Sequence, residues 1–88
     1  MNRRAALQAV LKSEEARWSS MSSEQLLQKL NEQQDYEVVL ESKRYQVEVE
    51  ILENTDEYIH VVISVDDGTL SASIFPATTS IICQKLKQ

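Results

Sequence analysis

Carboxylate side chains lie close to the only histidine of this 88-residue chain. Glu48 and Glu50 fall on one alternating segment of the sequence, and His60 falls on the next. Carboxylate oxygens together with one imidazole suit Mn²⁺ and similar divalent ions, and the same groups can act as general acids and bases. These three residues therefore allow one hypothesis, which is a small metal-dependent or hydrolytic enzyme.

A solvated sheet face explains the same residues with fewer requirements. A metal site needs ligands that converge and a surrounding shell that orients them, and a flat sheet face offers no cleft for this. Nucleophilic catalysis would need Cys83 or a serine beside a base, and the chain has a single histidine. The single glycine, Gly68, leaves no glycine-rich phosphate-binding loop. We therefore predict a protein without catalytic activity, cofactor or metal.

Two further acidic stretches are predicted to be turns. The stretch Asp66–Gly68 lacks the spacing of acidic ligands in a calcium-binding loop, whereas Asp-Gly is a preferred pair for the type I′ turn of a hairpin. The stretch "ENTDE", residues 53–57, is predicted to be a solvated hairpin loop. Neither stretch is needed for chemistry.

Composition indicates one small globular domain that binds protein rather than nucleic acid. The chain is 42% hydrophobic and 26% charged, whereas disordered chains are poorer in aliphatic residues. Its formal net charge of −5 disfavours nucleic acid as a partner, because phosphate binding needs a basic surface. A basic protein partner is electrostatically compatible with this charge.

The cellular compartment is predicted from cysteine usage and hydropathy. Cys83 is the only cysteine, which precludes an internal disulfide and is typical of a reducing compartment. No apolar run approaches the roughly 20 residues that span a bilayer. The N-terminal segment lacks a convincing cleavage site and is better explained as a helix than as a signal peptide. We expect a cytoplasmic location and no membrane partner.

A first helix is predicted from about Arg3 to Arg17. Its apolar positions follow a helical period, interrupted by Glu14, and comprise Leu7, Val10, Leu11 and Trp18. Because this stripe is narrow, residues 1–20 are expected to pack loosely on the domain.

A second helix has a fuller start signal. Ser22 can cap it, Gln25 can complete a capping box, and Met21 before the cap can contact Leu26. The helix is expected to end near Gln33. Its apolar stripe, which is predicted to cover one face of a sheet, consists of Leu26, Leu27 and Leu30.

Four segments alternate between apolar and polar residues, as half-buried strands do. They span residues 36–40, 45–51, 58–65 and 70–75. The C-terminal segment 77–88 is open between a short helix after Pro76 and a fifth strand, which its β-branched residues favour. The predicted fold is α+β: two N-terminal helices and an antiparallel β-meander of four or five strands, arranged as a two-layer sandwich. Residues 1–88 are predicted to form a single domain.

Side-chain alternation also predicts the register of the strands, because a one-residue slip would turn every apolar side chain outward. The predicted opposed pairs are Leu40 with Tyr45, Leu52 with Tyr58, and Val65 with Leu70. The loops are then "ESKR", "ENTDE" and a two-residue turn at Asp67-Gly68.

The same register predicts a mixed acidic and apolar surface on the opposite face of the sheet. Glu37 is predicted opposite Glu48, and Glu48 opposite Val62. His60 is predicted between Glu50 and Phe75. The candidate interaction face consists of Glu37, Glu48, Glu50, Tyr58, His60, Val62 and Phe75.

Either the first helix or a partner would cover this face. We expect a small acidic, non-catalytic interaction or accessory domain that binds a protein partner, or itself, through the face or through an edge strand. The alternative remains an enzyme that uses Glu48, Glu50 and His60.

Overall fold

The computed structural model describes residues 2–69 and 76–85. Within them two helices are followed by four strands: α1 (Arg3–Ser19), α2 (Ser23–Lys29), β1 (Gln34–Leu40), β2 (Lys43–Asn54), β3 (Tyr58–Asp66) and β4 (Ala77–Gln84). The strands form one antiparallel sheet in the order β1-β2-β3-β4. The predicted α+β class is confirmed. Among the described helices, none is long and apolar enough to span a bilayer.

Helix α1 supplies a large part of the hydrophobic core. It follows Asn2, whose side-chain oxygen accepts a hydrogen bond from the Ala5 N–H at 2.8 Å, as is typical of an N-cap. Its buried apolar residues are Ala6, Val10, Leu11 and Trp18. The helix packs against β3 and β4, so α1, rather than the second helix, is the main cover of the sheet. This packing differs from the expected loose N-terminal helix.

Helix α2 begins as predicted and ends early. The Ser22 hydroxyl accepts a hydrogen bond from the Gln25 N–H at 3.2 Å, and the Gln25 side chain accepts one from the Ser22 N–H at 2.9 Å. The predicted capping box is therefore confirmed. The helix ends at Lys29 rather than near Gln33, and Leu26 and Leu30 are buried in the core.

The inner face of the sheet, which we define as the face toward α1, forms the rest of the core. Buried residues alternate along β2 and β3, which confirms the predicted side-chain parity of these strands. The buried inner-face residues are Tyr45, Val47, Val49, Ile59, Val61, Ile63, Val65 and Ile81. Together with the helices they form one cluster.

A two-residue turn joins β1 to β2. Leu40 pairs with Lys43, so the predicted pairing with Tyr45 is wrong and "ESKR" is not the loop. The turn residues Glu41 and Ser42 have φ values of 50° and 67°. This left-handed geometry matches the twist of hairpin strands, but it usually requires glycine, asparagine or aspartate. The residue types of Glu41 and Ser42 therefore did not indicate this turn in the sequence.

A β-bulge at Leu52 changes the second hairpin. Leu52 does not face Tyr58 as predicted, because the ladder continues to Asn54, which pairs with Ile59. Thr55 then closes the turn. Its N–H donates to the Tyr58 carbonyl at 2.9 Å, and its hydroxyl accepts from the Tyr58 N–H at 3.1 Å. The connection is shorter than the predicted "ENTDE" loop.

The C-terminal segment contains a strand, as its β-branched residues predicted. β4 pairs with β3, and the residue opposite Val65 is Ala77 rather than the predicted Leu70. Cys83 lies on the same face as Ile81, as predicted. The predicted strand over residues 70–75 lies outside the described residues.

Candidate interaction surface

The outer face of the sheet, which points away from α1, carries the residues that the sequence singled out. Those that the structure describes are Glu37, Glu48, Glu50, Tyr58, His60 and Val62. Phe75 lies outside the described residues. In the part of the chain that is described, both helices contribute to the core on the inner side. Of the two covers that the sequence left open for the candidate face, the first helix instead packs on the opposite side of the sheet.

Three carboxylates lie close together on the β1–β2 side of this face. Asp35 is directly opposite Glu48, and Glu50 is the next outward residue along β2. Opposed like charges destabilise a strand pair. Within residues 2–69 and 76–85, none of the three carboxylates forms an ion pair.

The predicted pair of Glu37 and Glu48 is not formed. Glu37 lies opposite Gln46, and the Gln46 side-chain amide donates a hydrogen bond to the Glu37 carboxylate at 2.9 Å. The difference follows from the short β1–β2 turn, which shifts the register of β1. Asp35 replaces Glu37 as the carboxylate opposite Glu48.

The bulge in β2 also changes the neighbours of His60. Glu50 lies opposite Val62, and the residue opposite His60 on β2 is Glu53. On β4 the residue opposite His60 is Ile82, where Phe75 was predicted. The predicted Glu50–His60 and Glu48–Val62 oppositions are therefore wrong, although all of these side chains remain on the outer face.

An apolar strip borders the carboxylates. Ile82 is 52% exposed, and half-buried Val62 lies on the neighbouring strand. Single exposed apolar side chains are common on protein surfaces. Here Ile82 lies opposite His60, and Val62 lies next to His60 on the same face of β3 and opposite Glu50. The outer face therefore combines an apolar strip with an acidic border. Sequence reasoning missed Ile82, because residues 70–75 were predicted to occupy the neighbouring strand.

Tyr58 lies at the end of this strip. Its hydroxyl donates a hydrogen bond to the Glu53 carboxylate. That hydrogen bond raises the pKa of the Tyr58 hydroxyl above its usual value, because the neutral donor is favoured beside a carboxylate. Tyr58 therefore acts as a neutral hydrogen-bond donor.

A metal site on this face would require ligands that converge on one point. Among residues 2–69 and 76–85, no group of three histidine, cysteine, aspartate or glutamate side chains is arranged to hold a metal ion. On β3 the residues opposite Glu48 and Glu50 are Ser64 and Val62, so neither carboxylate lies directly opposite His60. The hypothesis of an enzyme on these three residues gains no support from this arrangement.

Sequence reasoning missed a polar cluster between α1 and β1. Glu14 is only 5% exposed, and its carboxylate accepts a hydrogen bond from the Tyr36 hydroxyl at 2.6 Å. The Trp18 indole N–H donates to the same hydroxyl at 2.8 Å. Arg17 lies 3.7 Å from the Glu14 carboxylate and over both aromatic rings. The interruption of the apolar stripe by Glu14 was the available signal for a buried carboxylate.

The buried polar groups of this cluster form hydrogen bonds with one another. Burial, reinforced by the hydrogen bond to Glu14, raises the pKa of Tyr36 to about 12. Among the described residues, no buried side-chain nitrogen or oxygen lacks a hydrogen-bond partner. The cluster therefore fastens α1 to β1, and an open cleft of about 300 Å³ beside it is lined by Arg17, Trp18, Lys29, Gln34 and Tyr36.

Asp67 fastens the other end of α1. Its inaccessible carboxylate accepts hydrogen bonds from the Arg3 side chain at 2.6 Å and from the Thr69 hydroxyl at 2.6 Å, and Lys43 lies 3.9 Å away. The hydrogen bond from Thr69, together with Arg3, holds the pKa of Asp67 at about 2. Gly68 has φ 81°, the left-handed geometry that favours glycine. The carboxylates at this turn therefore have structural roles.

Comparison of the chain with protein-family models, with curated protein sequences and with solved structures finds no match. Any functional conclusion must therefore come from the chemistry of the surface. The outer face is the part of the described structure with apolar and charged groups that the fold itself does not use.

Proposed function

We propose that this chain is a small non-catalytic interaction domain that binds a basic protein surface through the outer face of its sheet. One observation carries the proposal: the outer face holds half-exposed Ile82 on β4, Val62 on β3 and, opposite Val62 on β2, the carboxylate of Glu50, which like Asp35 and Glu48 has no ion-pair partner among residues 2–69 and 76–85. An apolar strip with a charged border has the composition of a protein contact, in which apolar residues provide affinity and charges provide orientation.

The charge of the partner is inferred from the acidic cluster. The chain has a net charge of −5, and Asp35 faces Glu48 across the β1–β2 pair. Lysine or arginine side chains of a partner would relieve this repulsion and accelerate association. A neutral or acidic partner would leave it unrelieved.

The proposed architecture explains why this face is available. We propose that the strands form a meander in a two-layer sandwich, in which α1 protects the inner face and leaves the outer face for binding. The single cysteine, Cys83, is compatible with a reducing compartment such as the cytoplasm, where we place the protein in this proposal.

The absence of catalysis is part of the proposal. Polar groups at active sites commonly have strongly shifted pKa values. The groups with shifted pKa values here have structural partners: Tyr36 with Glu14, Tyr58 with Glu53, and Asp67 with Thr69. No specific observation favours the enzyme that would use Glu48, Glu50 and His60.

A peptide of alternating lysine and leucine tests the proposal, because it offers the charge and the apolar side chains that the outer face would recognise. We expect a fluorescently labelled peptide to bind, and the variant Glu48→Lys/Glu50→Lys to bind on the order of tenfold more weakly at low salt, a difference of about 1.4 kcal/mol. Raising the ionic strength to about 0.15 M shortens the screening length to about 8 Å and should weaken wild-type binding.

The matched control reverses two exposed carboxylates away from the sheet. Glu24→Lys/Glu32→Lys changes the net charge by the same amount near α2. Equal loss of binding in both double variants would mean that only net charge matters, which contradicts a specific face. Titration with Mn²⁺ provides the test of the enzyme alternative, because selective broadening of the Glu48, Glu50 and His60 amide signals would support a metal site.

A further inference from the structure

The strand β4 lies at one edge of the described sheet and lacks the features that usually protect such an edge. Its eight residues, Ala77–Gln84, include no charged residue and no proline. Within residues 2–69 and 76–85, β3 is the only strand that pairs with it. Natural edge strands are usually kept from pairing with other chains by charges, prolines or bulges. β4 is therefore suited to pair with another strand.

The backbone groups available for pairing can be identified from one hydrogen bond. The Lys85 N–H donates to the Glu57 carbonyl at 2.8 Å, which fixes the phase of the β3–β4 ladder. In an antiparallel ladder alternate residues direct their N–H and C=O groups toward the same neighbour. The residues of β4 that direct these groups away from β3 are therefore Thr78, Ser80, Ile82 and Gln84.

Charge indicates which chain would occupy this edge. Two copies of a chain with a net charge of −5 repel each other, so self-association requires a contact without carboxylates. At the other edge, full antiparallel pairing of β1 with itself would place Glu37 opposite the Glu37 of the second copy. β4 contains no charged residue that would attract a basic or acidic partner. When β4 of one copy pairs with β4 of another, no like charges face each other.

We propose that β4 pairs antiparallel with β4 of a second copy, so that the sheets of two copies become continuous. The register that uses all four outward residues places Thr78 opposite Gln84 and Ser80 opposite Ile82, with Ile81 at the two-fold axis. On the inner face the same register places Thr79 opposite Cys83 of the second copy. Eight backbone hydrogen bonds then join the two strands.

This inference goes beyond the proposed function and does not depend on it. Pairing through the strand edge leaves the carboxylates of the outer face exposed on both copies. A dimer would present two outer faces on one surface, and a partner with two basic sites could then bind more tightly than a partner with one.

The mass of the protein in solution tests the dimer. Analytical ultracentrifugation between micromolar and millimolar concentration should show a shift from 10.1 kDa toward twice that mass. Ser80→Lys places a charge at the centre of the β4 edge and should give only monomer. Val39→Lys adds the same charge at the exposed β1 edge and should retain the dimer. Wild-type protein that stays monomeric up to 1 mM, or a dimer lost only in Val39→Lys, would overturn the proposal.

A disulfide tests the register independently of affinity. Opposed residues in a non-hydrogen-bonded antiparallel pair have Cα atoms about 4.5 Å apart, within the disulfide range of about 4.4–6.8 Å. Thr79→Cys should therefore form a covalent dimer with Cys83 of the second copy in a glutathione redox buffer. In this oxidation two thiols lose two electrons and two protons to oxidised glutathione, which is reduced to two thiols.

The control for this disulfide is Thr79→Cys combined with Cys83→Ser. In the proposed register, equivalent residues 79 of the two copies are offset by four positions, about 13 Å at ~3.3 Å per residue, so this variant should not cross-link. Wild-type Cys83 has the same offset and should also remain uncross-linked. Equal cross-linking in all three proteins, or none in Thr79→Cys, would contradict the β4 pairing. Circular dichroism of each variant establishes that it is folded.

Discussion

The two faces of the sheet use carboxylates in opposite ways. On the helix-covered side of the molecule, Glu14 and Asp67 are buried and each accepts hydrogen bonds from named partners. On the outer face Glu48 and Glu50 are exposed and, among the described residues, have no ion-pair partner. The difference shows that an acidic composition includes two populations: carboxylates that hold the fold together and carboxylates that the fold does not need.

The same contrast applies to apolar residues. Ile63 on the inner face is fully buried, whereas Ile82 on the outer face is half exposed. If the comparison is correct, changes on the inner side should reduce the free energy of unfolding, and changes on the outer face should reduce binding. The expected loss of stability decreases from the buried isoleucine of the core to the exposed carboxylates of the outer face.

The largest effect is expected for Ile63→Ala. Removing a buried isoleucine side chain deletes apolar contacts and leaves a cavity, which costs about 2–5 kcal/mol. Ile82→Ala on the outer face should cost less, about 1 kcal/mol, because about half of this residue is already exposed to water. Urea unfolding measures both values. A similar cost for the two variants would show that the outer face is part of the core.

The second effect is expected for Asp67→Ala, which removes the acceptor of Arg3 and Thr69. The loss of these hydrogen bonds should reduce the free energy of unfolding by about 1–3 kcal/mol. Glu50→Ala provides the comparison on the outer face and should change stability by no more than about 0.5 kcal/mol.

Asp67 should also make stability depend on pH. Its pKa is about 2 in the folded protein and about 3.9 when unfolded, so its contribution is fully present above the unfolded value. That contribution is lost as the pH falls from about 4 toward 2. Asp67→Asn should flatten this part of the curve of stability against pH, and an unchanged curve would show that Asp67 is not a stabilising carboxylate.

An effect in the same range as that of Asp67→Ala is expected for Tyr36→Phe. The substitution removes the hydroxyl that bonds Glu14 and Trp18, and each buried group left without its partner costs about 1 kcal/mol or somewhat more. The pKa of Tyr36 is about 12 in the folded protein and about 10 when unfolded. Its stabilising contribution is therefore complete below pH 10 and is lost between pH 10 and 12.

Unfolding monitored at alkaline pH tests the role of Tyr36. Wild-type protein should lose stability between pH 10 and 12 more steeply than Tyr36→Phe. Tyr58→Phe is the control on the outer face, where the hydroxyl is near the surface and bonds only Glu53. If Tyr58→Phe, and not Tyr36→Phe, removed the steep loss of stability between pH 10 and 12, that loss would have to be assigned to Tyr58.

The smallest effect on stability is expected for Glu48→Lys/Glu50→Lys. Surface substitutions usually change stability by no more than about 0.5 kcal/mol, and removal of the Asp35–Glu48 repulsion could raise it slightly. The variant should therefore unfold at the same urea concentration as wild-type protein or at a slightly higher one. A clear loss of stability would mean that these carboxylates are structural after all.

Much of the fold could be predicted from local patterns in the sequence. The capping box at Ser22, the alternation along β2 and β3, and the strand after Pro76 depend on neighbouring residues alone, and all are present. The second helix was predicted to cover the sheet, but α1 does so; the prediction was wrong because Glu14 interrupts the apolar stripe of the first helix. Its burial is made possible by Tyr36, which is distant in sequence.

The exact neighbours on the outer face could not be predicted. They depend on the turn at Glu41-Ser42, which adopts left-handed φ values without the residues that favour them, and on the bulge at Leu52. Up to Ile51, each hairpin differs from the predicted register by two residues, which keeps the parity of side chains, whereas the bulge reverses the parity of β2 beyond Leu52 and brings Glu53 to the outer face. The alternation of side chains therefore correctly predicted the face of Glu48, Glu50 and His60. The predicted partners across the strands, Glu37 and Val62 for Glu48 and His60 for Glu50, were wrong.

The central claim is that the outer face binds a basic protein surface, and amide chemical-shift mapping tests it most directly. Titration of ¹⁵N-labelled protein with the unlabelled lysine–leucine peptide should shift the amide signals of Glu48, Glu50, His60, Val62 and Ile82. The signals of Arg17, Trp18 and Tyr36, which line the cleft beside the α1–β1 cluster, should stay in place. Shifts confined to the cleft, or no shifts at millimolar peptide, would contradict the account.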